Sequence, residues 1–144
     1  MALEAFFTMD DDPNVHYIVD DVEYELSTPI TNNYKPSGTP EGGLVHFTMR
    51  NSSEHFSEFL NWFINMSQKS CTLFLPTIKS PDLTYRPYRL VLTNAYCVGF
   101  REVYSMSSGK QLQTYVTISA QEISWKMTGG YAVTFKNRAL KKSK

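Results

Sequence analysis

The chain reads as a mainly β protein with one helix, and three observations carry that reading. Nine Phe, nine Tyr and two Trp among 144 residues, within an apolar fraction of 42%, give the composition of a pleated, half-buried surface. Runs of apolar and polar alternation recur along the sequence, as strands with one buried face require. Only one stretch carries the 3.6-residue spacing of a buried helical stripe. The length suits one domain over residues 1–144, large enough to hold its own core, and no repeat or linker divides it.

Residues 2–9 place Leu3, Ala5, Phe7 and Met9 on one face and Glu4, Phe6 and Thr8 on the other, which predicts the first strand. Asp10 to Asn14 reads as an acidic turn, after which His16 to Leu26 is again extended. Pro29 to Gly43, PITNNYKPSGTPEGG, then exceeds the usual connection of about 4 to 6 residues, and loops beyond about 12 tend to be functional or disordered. Pro29, Pro36 and Pro40 stiffen it, while Gly38, Gly42 and Gly43 open conformations closed to other residues. A stiff arm hinged at its base and a loose surface loop are both compatible with that composition. Leu44, His46 and Thr48 next alternate against Val45, Phe47 and Met49, a third strand.

A helix is expected over about residues 53–68. Ser52 or Ser53 supplies its N-cap, Glu54 and Glu58 lie near its positive end, and Lys69 lies near its negative end. Phe56, Phe59, Leu60, Phe63 and Ile64 form its apolar stripe, widened by Trp62 and Met66, so Phe59, Leu60, Trp62 and Phe63 are expected to pack it on the β body. Its polar face lacks the Lys and Arg of a membrane-surface helix.

Cys71 to Leu75 reads as a strand that ends at Pro76, with a loop from there to Pro87. Tyr88 to Tyr104 is strand-like with a bulge or bend at Gly99. Ser107 to Lys110 turns the chain into Gln111 to Ile123, where Leu112, Thr114, Val116, Ile118 and Ala120 share one face and Tyr115 lies on the other. Gly129 and Gly130 make a hairpin turn into Tyr131, Val133 and Phe135.

The residues support neither catalysis nor a cofactor. His16, His46 and His55 have no metal-ligand spacing, and there is no zinc-protease, nucleophile-elbow or phosphate-loop motif. Asp10, Asp12 and Asn14 imitate the start of a calcium loop, but Val15 replaces the glycine that lets such a loop close. Cys71 and Cys97 form no close pair and read as small buried apolar residues. Aromatic residues interleave with Arg86, Arg89 and Arg101 as on a single-strand nucleic-acid platform, but the net charge of zero argues against a polyanion partner. No basic region precedes the short apolar run at the N-terminus and no 18-residue apolar stretch occurs. The expectation is a cytoplasmic start, no membrane insertion and any export without a signal peptide.

Charge is unevenly spread. Eight of fourteen acidic residues fall in the first 25, which contain no Lys or Arg, and five of fourteen basic residues fall in the tail 136–144. A short basic tail of this kind is commonly a solvated terminus.

The order of elements and several local motifs resemble the Hcp (TssD) tube proteins of type VI secretion systems, in particular their Bacteroidota-type members. The motifs are Lys35-Pro36-Ser37, Gly42-Gly43, Phe59-Leu60-Asn61-Trp62-Phe63, Asn94-Ala95-Tyr96-Cys97, Glu102 and Thr117-Ile118-Ser119-Ala120. They span roughly Tyr17 to Ile123, and their order is more specific than any one of them. The resemblance implies a small β-barrel of two packed antiparallel sheets with one flanking α-helix and an extended loop. It further implies hexameric rings that stack into a tube within a contractile sheath, a non-enzymatic role, and partners among sheath proteins, a spike protein and secreted effectors. It assigns the extended loop, with Asn33, Tyr34, Lys35, Pro36, Ser37, Gly38, Gly42 and Gly43, to contacts with a neighbouring subunit or ring. Lys35 stands where the family's element carries arginine, and the longer acidic start and the basic tail depart from the pattern. A monomeric ligand- or nucleic-acid-binding barrel, and a tube protein of a related phage-tail-like injection machine, are the alternative expectations.

Overall fold

The computed structural model describes residues 5–38, 40–50, 56–79, 84–105, 112–127 and 132–137. In chain order the elements are β1 (Ala5–Met9), β2 (Asp12–Tyr24), β3 (Leu44–Arg50), α1 (Phe56–Asn65), β4 (Lys69–Lys79), β5 (Thr84–Tyr104), β6 (Leu112–Met127) and β7 (Ala132–Lys136). The strands form one sheet in the order β3-β2-β1-β4-β5-β6-β7, and an additional pairing of β3 with β6 closes the first six into a barrel. The mainly β barrel with a single helix matches the expectation.

Closure follows from β3 being paired on both edges. Phe47 lies opposite Val22 of β2 on one side and Val116 of β6 on the other. Alternation then directs Val45, Phe47 and Met49 inward, where all three are buried, while Leu44 and His46 stay exposed. The same logic buries Phe7 and Met9 of β1, Leu73 of β4, Leu90 and Leu92 of β5, and Val116, Ile118 and Ala120 of β6. Two long strands wrapping a small barrel must bend sharply, and bulges let them do so. Register shifts on β5 fall between Cys97 and Gly99 against β6, and on β4 between Lys69 and Cys71 against β5. At Gly99 an added Cβ would sit 3.1 Å from Thr117 Cβ, so the close approach of the strands there favours glycine. Asn94, opposite the β4 shift, adopts a left-handed φ of 50°. Its Nδ2 donates to Gln121 Oε1 at 2.8 Å and its backbone N–H to Ser70 Oγ at 3.2 Å.

Helix α1 is anchored through two aromatic residues. Phe59 is fully buried against barrel rings, with centroids 5.2 Å from Phe7, 4.7 Å from Tyr17 and 6.0 Å from Phe47. Trp62 is buried beside it and donates its indole N–H to Ser67 O at 2.7 Å, which ties the helix to the turn leading into β4. The Tyr17 hydroxyl donates to Glu58 Oε2 at 2.7 Å.

Several expectations need correction. The loop expected from Pro76 to Pro87 is a continuation of the β4–β5 hairpin, with Pro76 paired opposite Pro87 and pairing continuing to Lys79↔Thr84. Among the described residues the pairing of β4 with β1 runs to Phe74 and that of β5 with β6 to Tyr88, and proline is accommodated in a strand where its position calls for no ladder N–H. The acidic turn is shorter than expected, because β2 already begins at Asp12 and Met9 pairs with it. Lys69 does not serve the helix end; it lies in β4 and its Nζ contacts Asp11 Oδ2 at 2.7 Å. Phe63, Ile64 and Met66, expected in the buried stripe, are exposed, because Phe59 and Trp62 face the barrel and the stripe is wider than the face it covers. The proposed N-cap, His55, and the turns at 107–110 and 129–130 lie outside the described residues.

Cys71 and Cys97 are free and buried. Burial pushes the Cys97 thiol up to about 11, partly offset by a backbone hydrogen bond with Gly99, and holds Cys71 well above the ordinary thiol range. Burial and the Glu58 contact raise the Tyr17 phenol as well. These groups stay protonated in the folded chain at pH values where the unfolded chain ionises, so their contribution is intact below the unfolded pKa and lost as pH rises. The urea midpoint should therefore fall between about pH 8.5, the ordinary thiol value, and pH 11, and an unchanged midpoint over that range would contradict the burial of these groups. Phe59→Ala should lower stability by about 3–5 kcal/mol in equilibrium unfolding.

Candidate assembly surface

Between β2 and β3 the segment from Glu25 to Gly43 forms a paired arm. Ser27 and Glu41 exchange both backbone hydrogen bonds, at 2.9 and 2.6 Å. Ser37 N–H donates to Pro29 O and Thr31 N–H to Lys35 O, each at 2.8 Å, around an isolated bridge between Ile30 and Pro36. The tip is held by Tyr34 N–H to Thr31 O at 2.9 Å, with Thr31 Oγ1 accepting from the backbone N–H groups of Asn33 and Lys35 at 3.3 Å each. The fifteen-residue stretch is thus a hairpin with its own hydrogen bonds rather than a slack loop.

The base of the arm is clamped on both strands. On the outgoing side Tyr24 OH accepts from Trp125 Nε1 at 2.7 Å, with the rings 5.9 Å apart, joining β2 to the far part of β6. On the returning side Ala120 N–H donates to Gly43 O at 2.9 Å. Gly43 has φ +100°, and a Cβ there would lie 2.5 Å from Asn137 Nδ2 and 3.1 Å from Ala120 O. Gly42 is tight in a different way: its Cβ would meet the Leu26 side chain at 2.3 Å and Glu25 O at 3.0 Å, both within the arm.

The arm offers the solvent an apolar surface with one charge near its tip. Ile30 is 60% and Tyr34 83% exposed, and between Pro29 and Pro40 Lys35 is the sole charged residue. Tyr34 also has φ 63°, a left-handed conformation that a bulky residue adopts only when its surroundings hold it there. Of the residues expected at the site, Asn33, Tyr34, Lys35, Pro36, Ser37 and Gly38 share this exposed hairpin, and Gly42 and Gly43 form its base. Phe59, Leu60, Trp62 and Phe63 are separate from it, on α1. Of these, Phe59 and Trp62 are buried, Leu60 is half-buried and Phe63 is exposed.

Ile30 escapes sequence reasoning, and Met66, expected in the buried stripe of the helix, is exposed instead. Ile30 is an isolated apolar residue in a polar stretch, and Met66, 77% exposed with φ 53°, occupies the helix-end position where Gly or Asn is usual. Those two anomalies are the signals that could have marked them. Beside the arm base a groove of about 450 Å³ is lined in part by Glu23, Glu25, Glu41 and His46. His46 Nδ1 lies 2.9 Å from Thr117 Oγ1, and no group able to hold a metal ion occurs among the described residues. Arg101 stacks over the Tyr115 ring at 5.1 Å, so one arginine of the supposed nucleic-acid platform is already engaged.

A sequence-family model for the hemolysin coregulated protein Hcp (TssD) matches residues 1–133. Among solved structures, Hcp1 from Flavobacterium johnsoniae is similar at TM-score 0.72 and 25% identity, over 94% of this chain and 100% of that one. Hcp1 from the E. coli EAEC 042 pathovar, a mutant form, gives TM-score 0.75 at 16% identity, over 94% and 99% of the two chains. The secreted protein Hcp3 from Pseudomonas aeruginosa gives 0.67 at 12%, over 95% and 99%. A search of curated proteins found no match.

The arm geometry predicts distinct outcomes for the two base glycines. Gly43→Ala, at a left-handed φ and against the β6 carbonyl, should destabilise the whole chain by about 1–3 kcal/mol. Gly42→Ala should leave the unfolding midpoint closer to wild type while speeding amide exchange at Ser27 and Glu41, as followed by hydrogen-exchange NMR.

Proposed function

The chain belongs to the hemolysin coregulated protein Hcp (TssD) family, and on that premise we propose that it is a structural subunit of the inner tube of a type VI secretion system, forming hexameric rings that stack and are expelled. The observation that carries this reading is the arm: self-paired, clamped at its base and presenting Ile30 and Tyr34 to solvent. A preformed hairpin loses little conformational freedom on docking, so more of its buried apolar area appears as binding free energy. A head-to-tail contact between two different patches closes into a ring or extends a stack according to its rotation.

In this reading the protein acts by assembly rather than catalysis, starts in the cytoplasm, leaves without a signal peptide, and meets sheath proteins, a spike protein and secreted effectors. The acidic first 25 residues and the basic tail supply electrostatic register between stacked rings. Contacts of that kind are screened over about 8–10 Å at physiological salt.

Negative-stain electron microscopy of the purified chain should show rings, and light scattering should give a mass of six subunits; a strict monomer at high concentration would overturn the proposal. Gly42→Val should abolish rings while leaving the circular dichroism of the barrel intact. Stacking should weaken with added salt and on removal of residues 138–144, a truncation that spares the Lys136–Glu122 pair and β7.

A further inference from the structure

Three non-glycine residues in the described chain adopt left-handed φ angles: Tyr34, Met66 and Asn94. Asn94 is accounted for by its place in the β5 irregularity and by its bonds to Ser70 and Gln121. Tyr34 and Met66 are different. Both are large, apolar and among the most exposed residues of their kind, at 83% and 77%. Strained backbone carrying an exposed apolar side chain is kept where that side chain has work to do.

The two lie on separate elements entered from opposite ends of β3: the arm precedes Leu44 and α1 follows Arg50. Around Met66 the last turn of α1 exposes Phe63 and Ile64, an apolar patch on an otherwise well-anchored helix. That turn contains no basic residue, although the negative end of a helix favours one, and the nearby Lys69 is bound to Asp11. The arm tip carries the complement: apolar Ile30 and Tyr34 with the single cation Lys35 between Tyr34 and Pro36. A helix end lacking a cation and an apolar knob carrying one are matched in both charge and character.

We infer that the exposed C-terminal turn of α1, formed by Phe63, Ile64 and Met66, is the seat for the arm tip of a second copy of this chain, with Tyr34 against the apolar patch and Lys35 at the helix carbonyl end. The contact joins two different surfaces and is therefore head-to-tail, each copy giving an arm and receiving one. It rests on the tube-subunit reading but names the receiving surface, which that reading leaves open.

The test uses Tyr34→Cys and Met66→Cys made in separate full-length chains, since Cys71 and Cys97 are buried. Mixed and mildly oxidised, the two variants should give a disulfide-linked dimer that neither gives alone. Lys35→Glu in the Tyr34→Cys chain should reduce the cross-link severalfold, and Asn65→Lys in the Met66→Cys chain should restore it. Wild-type protein imaged in parallel separates this inference from its premise. Rings without the mixed cross-link overturn the α1 seat alone, and a cross-link formed only within a chain carrying both cysteines overturns it too. Absence of both rings and cross-link overturns the tube reading as well. A mixed cross-link without rings upholds the head-to-tail contact and overturns the ring.

Discussion

The pairing of β3 with β6 is the constraint on which the rest of this molecule depends. Without it the sheet would be open, with β3 and β7 as edges. With it, Val45, Phe47 and Met49 complete the wall of a closed interior, and each inward residue of β3 gains neighbours on both sides. Closure demands curvature, which explains the irregularities at Asn94 and Gly99: the bulges relieve strands that could not otherwise wrap so tight a barrel. It also leaves an opening for the aromatic plug Phe59, whose ring meets side chains from β1, β2 and β3.

The same seam fixes the arm. Because the arm is inserted between β2 and β3, its two feet stand on strands held by the closure. Trp125 grips one foot through Tyr24, and Ala120 grips the other through Gly43. Both gripping residues belong to β6, the partner that closes the barrel. Orientation of the arm is therefore a property of the barrel and not of the arm's own sequence.

Much of the barrel was legible in the sequence, since alternation in 44–49 and 112–120 gives the inward faces directly and the helix has one unmistakable stripe. The Pro76–Pro87 pairing was not legible, because proline is read as a strand terminator and the continuation of the β4–β5 hairpin past it depends on cross-strand contacts. Over-assignment of the helix face has a similar cause: periodicity counts apolar residues at Phe63 and Ile64 but does not reveal how wide the receiving surface is. At the arm, composition pointed to Lys35, Pro36 and the glycine pair. The self-pairing of Ser27 with Glu41 and the clamp by Trp125 depend on contacts between residues far apart in sequence, which no local pattern encodes.

The two thiols carry a consequence of another kind. Cys71 and Cys97 are buried with their ionisation suppressed, and the thiolate is the form that attacks disulfides and oxidants. The two cysteines are unlinked, and neither buried thiol is poised to react while the barrel is folded. No disulfide contributes to the packing of these two residues, so the part of the barrel they occupy is held in the same way in a reducing medium and in an oxidising one.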